Sequence, residues 1–194
     1  MYETLRNYIN KYASTILSDA EFELVKKAFN QKNLRKKQYF LQEGEVCKYT
    51  GFIIKGAMRQ YSVDNKGVEH IINLCIENWW VGDRESFSML TPSRYNIDAV
   101  EDSELLVITN ADFQNLINSI PAIANMIRTM DQNNYIATQK RIHSSISLTA
   151  EERFLNLLET NPVLFQRFPQ TMIASYLGIS AETLSRIRKK ALRK

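Results

Sequence analysis

The chain has 194 residues, of which 44% are hydrophobic and 24% are charged, and its formal net charge is +4. This composition is typical of a globular protein with a substantial core, and no apolar run approaches the roughly 18 residues that a membrane-spanning helix needs. Two cysteines cannot build a disulfide framework and two histidines match no metal-ligand spacing, so we predict a cytoplasmic protein with no structural metal and no membrane partner.

Helices are predicted over residues 1–32. Phe22 and Val25 lie at near-helical spacing. Ser18 is followed three residues later by Glu21, which is the pattern of a capping box, where each side chain accepts a hydrogen bond from the other residue's backbone amide. A helix should therefore begin just after Ser18.

The segment 34–108 is predicted to form a β-roll. Short aromatic and β-branched runs alternate there with glycine-containing turns, and short strands about ten residues apart favour a sandwich or roll. The turn Asn65-Lys66-Gly67 lies between two alternating runs and predicts a hairpin. The predicted strands cover residues 38–41, 51–54, 58–63, 69–75, 97–100 and 105–108.

The sequence from Asp112 to about residue 145 is helical again, and Pro121 stands where a long helix can begin. Along this helix, apolar and polar residues in steps of four and three resemble the heptad pattern of a coiled coil. Two interpretations are open: core packing of the apolar first half against the β-roll, or a dimer seam in which Asn134 sets the register. The stripe consists of Ile123, Ile127, Met130, Asn134, Ala137 and Arg141.

A further amphipathic helix is predicted over residues 148–159, and Thr149 is placed to cap it. Two prolines bound the linker 162–169 that follows. Within this linker, Phe165 and Phe168 are expected to anchor the segment to the core or to lie in a small hairpin.

Residues 170–190 have the pattern of a helix-turn-helix. Ala174 is small where two helices must approach, and Gly178 lies at the turn, where glycine adopts a positive φ at little cost. Ser180 is placed to cap the second helix. The positions that would join both helices to the core are Ile173, Leu177, Ile179, Leu184 and Ile187.

The net positive charge is confined to this C-terminal region. Residues 1–147 hold 17 Lys/Arg and 17 Asp/Glu, whereas residues 148–194 hold 8 and 4. Charge concentrated on one part of a chain is typical of a polyanion binder, although a solvated basic tail on an ordinary helix is the plain alternative. The six cations after Ser180 are Arg186, Arg188, Lys189, Lys190, Arg193 and Lys194.

A β-roll, a long helix and a C-terminal winged helix-turn-helix follow one another in the Crp/Fnr family of bacterial regulators, which this chain resembles over nearly its full length. The resemblance is strongest over residues 174–189. It implies an α+β fold with a jelly-roll-like, cyclic-nucleotide-binding-like sensor domain and its N-terminal helices at 1–120, a dimerisation helix at 121–147, and a winged helix-turn-helix DNA-binding domain at 148–194.

By this resemblance, residues 182–187 stand where family members carry the base-reading helix. Ala181, Glu182 and Arg186 would occupy the three base-contacting positions, with Glu182 accepting from cytosine N4 and Arg186 donating to guanine. Ala181 replaces the arginine of the best-known members, so a different operator is expected. The predicted DNA contacts are Ser180, Ala181, Glu182, Ser185, Arg186, Lys189 and Lys190.

The resemblance also implies an effector site in the β-roll. Family members that bind cyclic nucleotides hold the ribose with a Gly-Glu pair, and here the pair is Gly82-Asp83. The Arg-Ser/Thr pair that holds the cyclic phosphate is reversed here to Ser93-Arg94. These four residues are the predicted effector contacts, for a cyclic nucleotide or for another, unidentified small effector. A domain that binds no effector is the further alternative.

We therefore predict a homodimeric transcription regulator that binds pseudo-palindromic double-stranded DNA, with RNA polymerase as a further partner. The alternative is a ligand-sensing interaction module that has lost DNA binding. An enzyme is not predicted, because we find no glycine-rich phosphate loop, no Ser/His/Asp set and no metal-spaced cluster. The carboxylates Glu101, Asp102 and Glu104 fit a solvated turn better than a catalytic pair.

Overall fold

The computed structural model describes residues 1–191, so the predicted cations Arg193 and Lys194 lie outside the described residues. Helices α1 (Tyr2–Ala13) and α2 (Asp19–Ala28) open the chain. The capping box before α2 is confirmed, because the Glu21 amide donates to the Ser18 hydroxyl at 3.3 Å and the Ser18 amide donates to the Glu21 carboxylate at 2.9 Å.

Two four-stranded antiparallel sheets follow and form the β-roll. The first sheet has the order β1-β8-β3-β6 and the second the order β2-β7-β4-β5. A short helix, α3 (Arg84–Met89), lies between β6 and β7. The strands are β1 (Asn30–Leu34), β2 (Tyr39–Leu41), β3 (Tyr49–Lys55), β4 (Met58–Val63), β5 (Glu69–Cys75), β6 (Trp80–Val81), β7 (Asn96–Ala99) and β8 (Ser103–Thr109).

The six predicted strands are confirmed as β2, β3, β4, β5, β7 and β8, and the hairpin between β4 and β5 closes through a hydrogen bond from the Asp64 amide to the Val68 carbonyl at 3.0 Å. The predicted helix over residues 1–32 is wrong at its end, because β1 begins at Asn30 and pairs with β8 along its full length. Strand β1 reads Asn-Gln-Lys-Asn-Leu, so the alternation that marks a strand is missing from it.

Apolar side chains fill the space between the two sheets. Phe87 of α3 belongs to this buried cluster, together with Leu41, Ile53 and Ile97 from three different strands. The interior is therefore a packed core. Its buried members are Leu34, Leu41, Cys47, Ile53, Met58, Cys75, Val81, Phe87, Ile97, Ala99, Leu105 and Val107.

Helices α4 (Asn110–Ser119) and α5 (Pro121–Ser147) leave the roll. The first half of α5 packs on α1 and buries Ile123 and Met126, so core packing accounts for the apolar part of the predicted stripe. Residues 132–143 are all exposed. Although α5 has 27 residues, no helix within residues 1–191 is long and apolar enough to cross a membrane.

The C-terminal module, described over residues 148–191, consists of four helices. They are α6 (Ala150–Thr160), α7 (Leu164–Arg167), α8 (Gln170–Tyr176) and α9 (Ala181–Ala191). The cap before α6 is confirmed as a Thr149–Glu152 capping box. The hairpin considered for the linker is wrong, because α7 stands there, with Phe168 buried and Phe165 against Phe154 at 5.4 Å. This described part of the module contains no strand, so the strands of a wing are not found in it.

Helices α8 and α9 form the predicted helix-turn-helix. Gly178 has φ +66°, and the Ile179 amide reaches back across the turn to the Ala174 carbonyl at 3.0 Å. Ala174 and Leu184 are fully buried between the helices. A side chain at Gly178 would be strained by this backbone conformation, which explains the glycine there.

Candidate DNA interface and effector site

Three of the predicted DNA-contact residues share one exposed face of α9. Glu182, Arg186 and Lys189 are exposed and follow one another at spacings of four and three residues, which places them on the same side of a helix. Leu184 and Ile187 are buried on the opposite side and hold α9 to the rest of the module. The apolar side of α9 therefore fixes it in place while the polar side stays accessible.

The first turn of α9 is ordered by its own hydrogen bonds. The Thr183 amide donates to the Ser180 hydroxyl at 3.2 Å, which confirms Ser180 as the cap. The pKa of Glu182 is lowered by its own backbone amide and by the Ser180 hydroxyl. Glu182 is therefore an ionised acceptor at neutral pH, as a contact to an amino group of cytosine requires.

The cations of α9 are not equivalent. The Lys190 ammonium lies 2.7 Å from the Glu151 carboxylate of α6. Arg186 and Lys189 form no ion pair with any residue of the described chain. Ala181 and Ser185 are partly exposed and adjoin Glu182 and Arg186 in α9, so the predicted DNA-contact residues all lie on α9 or at its cap.

The predicted effector residues Asp83 and Ser93 lie together, but their hydrogen bonds are internal. The Asp83 carboxylate caps α3 by accepting from the amides of Glu85 at 3.1 Å and Ser86 at 3.4 Å. It also accepts from the Ser93 hydroxyl at 2.7 Å, and both side chains are buried. An aspartate is one methylene shorter than the glutamate of the family pattern, which suits it to its own helix terminus.

Arg94 and Gly82 flank this pair differently. Arg94 is exposed and forms no hydrogen bond or ion pair within residues 1–191. Gly82 joins β6 to Asp83 beside the filled interior of the roll. The four predicted effector residues are therefore neighbours, but two of them bind each other and one faces solvent.

A concave surface that sequence reasoning missed lies between the roll and the C-terminal module. It is a cleft of about 710 Å³ lined by the second sheet and by α7 and α8. Arg59 donates to Asp98 at 2.8 and 2.9 Å, contacts Glu69, and stacks on Tyr61 at 4.1 Å. Burial alone would lower the pKa of Arg59, but the bonds to Asp98 and Glu69 raise it, so the guanidinium stays charged.

Comparison with known proteins identifies the fold. Residues 31–119 match the family model of the cyclic nucleotide-binding domain. No curated protein matches the chain. Among solved structures, the chain is similar to FixK2 from Bradyrhizobium japonicum, with 20% identity over 84% of this chain and 83% of that chain and a TM-score of 0.72.

Two further structures are similar over most of their length. The c-di-GMP responsive global regulator CLP from Xanthomonas campestris is 16% identical over 91% of this chain and 92% of that chain, with a TM-score of 0.71. A protein from Eubacterium rectale described as a transcriptional regulator of the Crp/Fnr family is 17% identical over 95% and 87%, with a TM-score of 0.68. This chain has the Crp/Fnr fold.

Within the Crp/Fnr fold, the matched residues 31–119 run from β1 to the end of α4 and include Gly82, Asp83 and Ser93. The α+β architecture that the sequence predicted, with a β-roll, a long helix and a C-terminal helix-turn-helix, is confirmed.

Proposed function

We propose that the protein is a homodimeric transcription regulator that places α9 in the major groove of double-stranded DNA. The observation that supports this most directly is the exposed face of Glu182, Arg186 and Lys189 on a capped helix whose other side is buried. A helix held in this way presents donors and acceptors to base edges without rearranging.

Each residue of this face has a proposed role. Arg186 donates to guanine O6 and N7, and Glu182 accepts from the N4 amino group of the paired or adjacent cytosine. Ala181 and Ser185 approach the same base edges. Ser180 at the helix start, together with Lys189 and Lys190 further along, contacts phosphates.

The subunits are proposed to pair along the second half of α5. Tyr135, Ile142 and Ile146 are 65%, 47% and 78% exposed, and steps of seven and four residues put them on one face. Apolar side chains repeated along an otherwise uncovered helix favour a second copy as the partner. We propose this apolar face in place of the second half of the predicted stripe. Arg141 of that stripe donates to the Ile72 carbonyl of β5 at 2.5 Å and is therefore turned toward its own subunit.

The proposed function of each part of the chain follows the domains predicted from sequence. Residues 1–120 form the effector domain, residues 121–147 the dimerisation helix and residues 148–194 the DNA-binding domain. We place the protein in the cytoplasm, where the free thiols of Cys47 and Cys75 remain reduced, and we propose RNA polymerase as a further partner. The internal Asp83–Ser93 bond favours a small effector other than cyclic AMP.

The test is a selection of bound sequences from a random duplex library, followed by fluorescence anisotropy across a salt series. A specific regulator should enrich a pseudo-palindrome and lose affinity steeply as salt rises. Arg186→Ala should cost roughly 1–3 kcal/mol, concentrated on one base pair of each half-site. A uniform loss over all sequences would assign Arg186 to a phosphate instead.

The matched control is Arg35→Ala, which removes the same charge from an exposed turn of the β-roll. It should leave the enriched sequence and its affinity unchanged. If the wild-type protein shows no salt-dependent DNA binding even at low salt, the proposal is wrong and the interaction module without DNA binding is favoured.

A further inference from the structure

We infer that Arg167 is a positioning residue that fixes the C-terminal module on the β-roll and thereby sets the half-site spacing that the protein accepts. The inference rests on the proposed DNA-binding function. It deepens that function, because spacing depends on how each recognition helix is held and not on which bases the helix reads.

Arg167 ends α7 and binds two carboxylates of the β-roll at once. Its guanidinium donates to Glu101 at 2.8 and 2.7 Å and to Glu77 at 3.0 and 3.0 Å. Both contacts are bidentate, which is the geometry that a guanidinium fork imposes on a carboxylate. A single side chain therefore joins the module to two separate places on the roll.

The two carboxylates are themselves anchored to turns of the roll. Glu77 lies between β5 and β6 and accepts a hydrogen bond from the Gly56 amide at 2.8 Å, which fixes its orientation. Glu101 lies in the turn between β7 and β8. Two acceptors on different turns, one of them held by a backbone amide, define the direction of the Arg167 side chain as well as its position.

Apolar packing also joins the β-roll and the C-terminal module, but it does not define the orientation of one relative to the other. Phe168 and Ile173 of the module belong to one buried cluster with Tyr61, Leu74 and Val100 of the roll. Apolar burial is favourable in any orientation that covers the same area, whereas a bidentate ion pair is directional. The cluster holds the module on the roll, and Arg167 selects one orientation of it.

The chain itself adds little orientation. Helix α5 ends at Ser147 and α6 begins at Ala150, so only two residues connect them. Rotation about this link would move α9 while leaving its sequence preference intact. The Ser175 hydroxyl gives a further polar contact with the edge strand β5, because it accepts from the Ile71 amide at 2.9 Å and donates to the Glu69 carbonyl at 3.3 Å. Arg167 contributes four hydrogen bonds between the C-terminal module and the roll.

The experiment measures dissociation constants on duplexes that carry the selected half-sites at the native separation, at one and two base pairs more or less, and singly. Wild type should lose about tenfold or more in affinity for each step away from the native separation. Arg167→Ala should bind the single half-site as wild type does, but its dependence on separation should flatten, with about a tenfold loss at the native separation.

The matched control is Gln166→Ala, which truncates an exposed neighbour in the same cleft that forms no hydrogen bond with the described residues of the roll. It should keep the wild-type dependence on separation. If Arg167→Ala prevents folding, Glu101→Gln decides the question, because it weakens one of the two ion pairs and keeps the side-chain volume. Glu101→Gln should flatten the dependence in the same direction.

The inference would be overturned if Arg167→Ala showed the same dependence of affinity on half-site separation as wild type. If Arg167→Ala does not fold, the same comparison is made between Glu101→Gln and wild type. An equal gain or loss of affinity at every separation and on the single half-site would also overturn the inference. Such a result would mean that the substitution changes α9 itself, or frees it from the roll, and does not change where α9 is held. Failure of the proposed function looks different: wild type would then not distinguish the selected half-site from random DNA at any separation.

Discussion

The Ser93 hydroxyl donates a 2.7 Å hydrogen bond to the Asp83 carboxylate, and neither side chain is more than 5% exposed. The same carboxylate accepts the Glu85 and Ser86 amides at the start of α3. Two segments that the sequence predicted as effector contacts are therefore bonded to each other. Because the interior behind them is packed with apolar side chains, Asp83 and Ser93 stabilise the fold of this part of the roll.

We expect Asp83→Ala to lower the free energy of unfolding by about 2–3 kcal/mol, because it removes a helix cap and leaves buried donors unpaired. Urea denaturation measures this directly. The control is Glu85→Ala, an exposed carboxylate in the first turn of the same helix, which should change stability by less than about 0.5 kcal/mol. Equal effects of the two substitutions would mean that the Asp83 bonds contribute nothing specific.

We also expect cyclic AMP at about 1 mM to leave the thermal midpoint of the protein unchanged. A ligand present at 100 times its dissociation constant would stabilise the folded state by about 2.7 kcal/mol, which a thermal scan resolves as several degrees. A clear rise in the midpoint would contradict the assignment of Asp83 and Ser93 to internal bonds.

Local patterns account for most of what the sequence predicted. The caps at Ser18 and Thr149 and the glycine turn of the helix-turn-helix involve residues at most five positions apart, so a short stretch of sequence is enough to predict them. Strand β1 could not be found in this way, because it carries no alternating pattern and exists through its pairing with β8. Strand β6 has only two residues.

Contacts between distant residues account for what the sequence missed. Arg167 and Glu77 are 90 positions apart, and nothing in the linker marks Arg167 as paired. In α5, the spacing of Ile123 and Ile127 gives a stripe, but whether a stripe is buried in the chain or open to a partner depends on where α1 packs. The proposed DNA-contact face could be predicted from the sequence because one helix carries all of it.

The Arg167–Glu77 contact should depend on pH. Burial alone would raise the pKa of Glu77, but hydrogen bonds from Arg167 and the Gly56 amide outweigh it and lower this pKa below its ordinary value of 4.5. A lowered folded-state pKa stabilises the fold above the unfolded pKa, and this stability is lost as pH falls through the folded value. The stability difference between wild type and Arg167→Ala should therefore shrink below about pH 4.5.

Urea denaturation of both proteins from about pH 7 to about pH 3 tests this. Glu101→Gln removes the other carboxylate and leaves Glu77 in place, so it should keep the decline at low pH. A difference that stays constant over the whole range would show that Arg167 stabilises the module through packing and not through its charge.

Lys189 and Lys190 should differ in their effect on the salt dependence of DNA binding. Lys190 is paired with Glu151 at 2.7 Å, whereas Lys189 forms no ion pair with the described residues. Lys189→Ala should reduce the slope of log affinity against log salt by about 1, the value for one phosphate contact. Lys190→Ala should reduce it by clearly less, because its charge is already partly neutralised. Equal slopes in the two variants would mean that DNA displaces Glu151 from Lys190.

We expect the exposed face of α5 to carry the dimer contact. Ile142→Glu places a charge in the proposed seam, and because Ile142 is 47% exposed in the single chain, the substitution should leave the subunit folded. The dissociation constant of the dimer should rise by about tenfold or more, which sedimentation equilibrium measures, with circular dichroism as the check on folding.

Ile136→Glu is the matched control, since Ile136 is 43% exposed on another face of the same helix. Asn134→Leu should leave the dimer unchanged. Dissociation by Ile136→Glu and not by Ile142→Glu would move the seam to the other face.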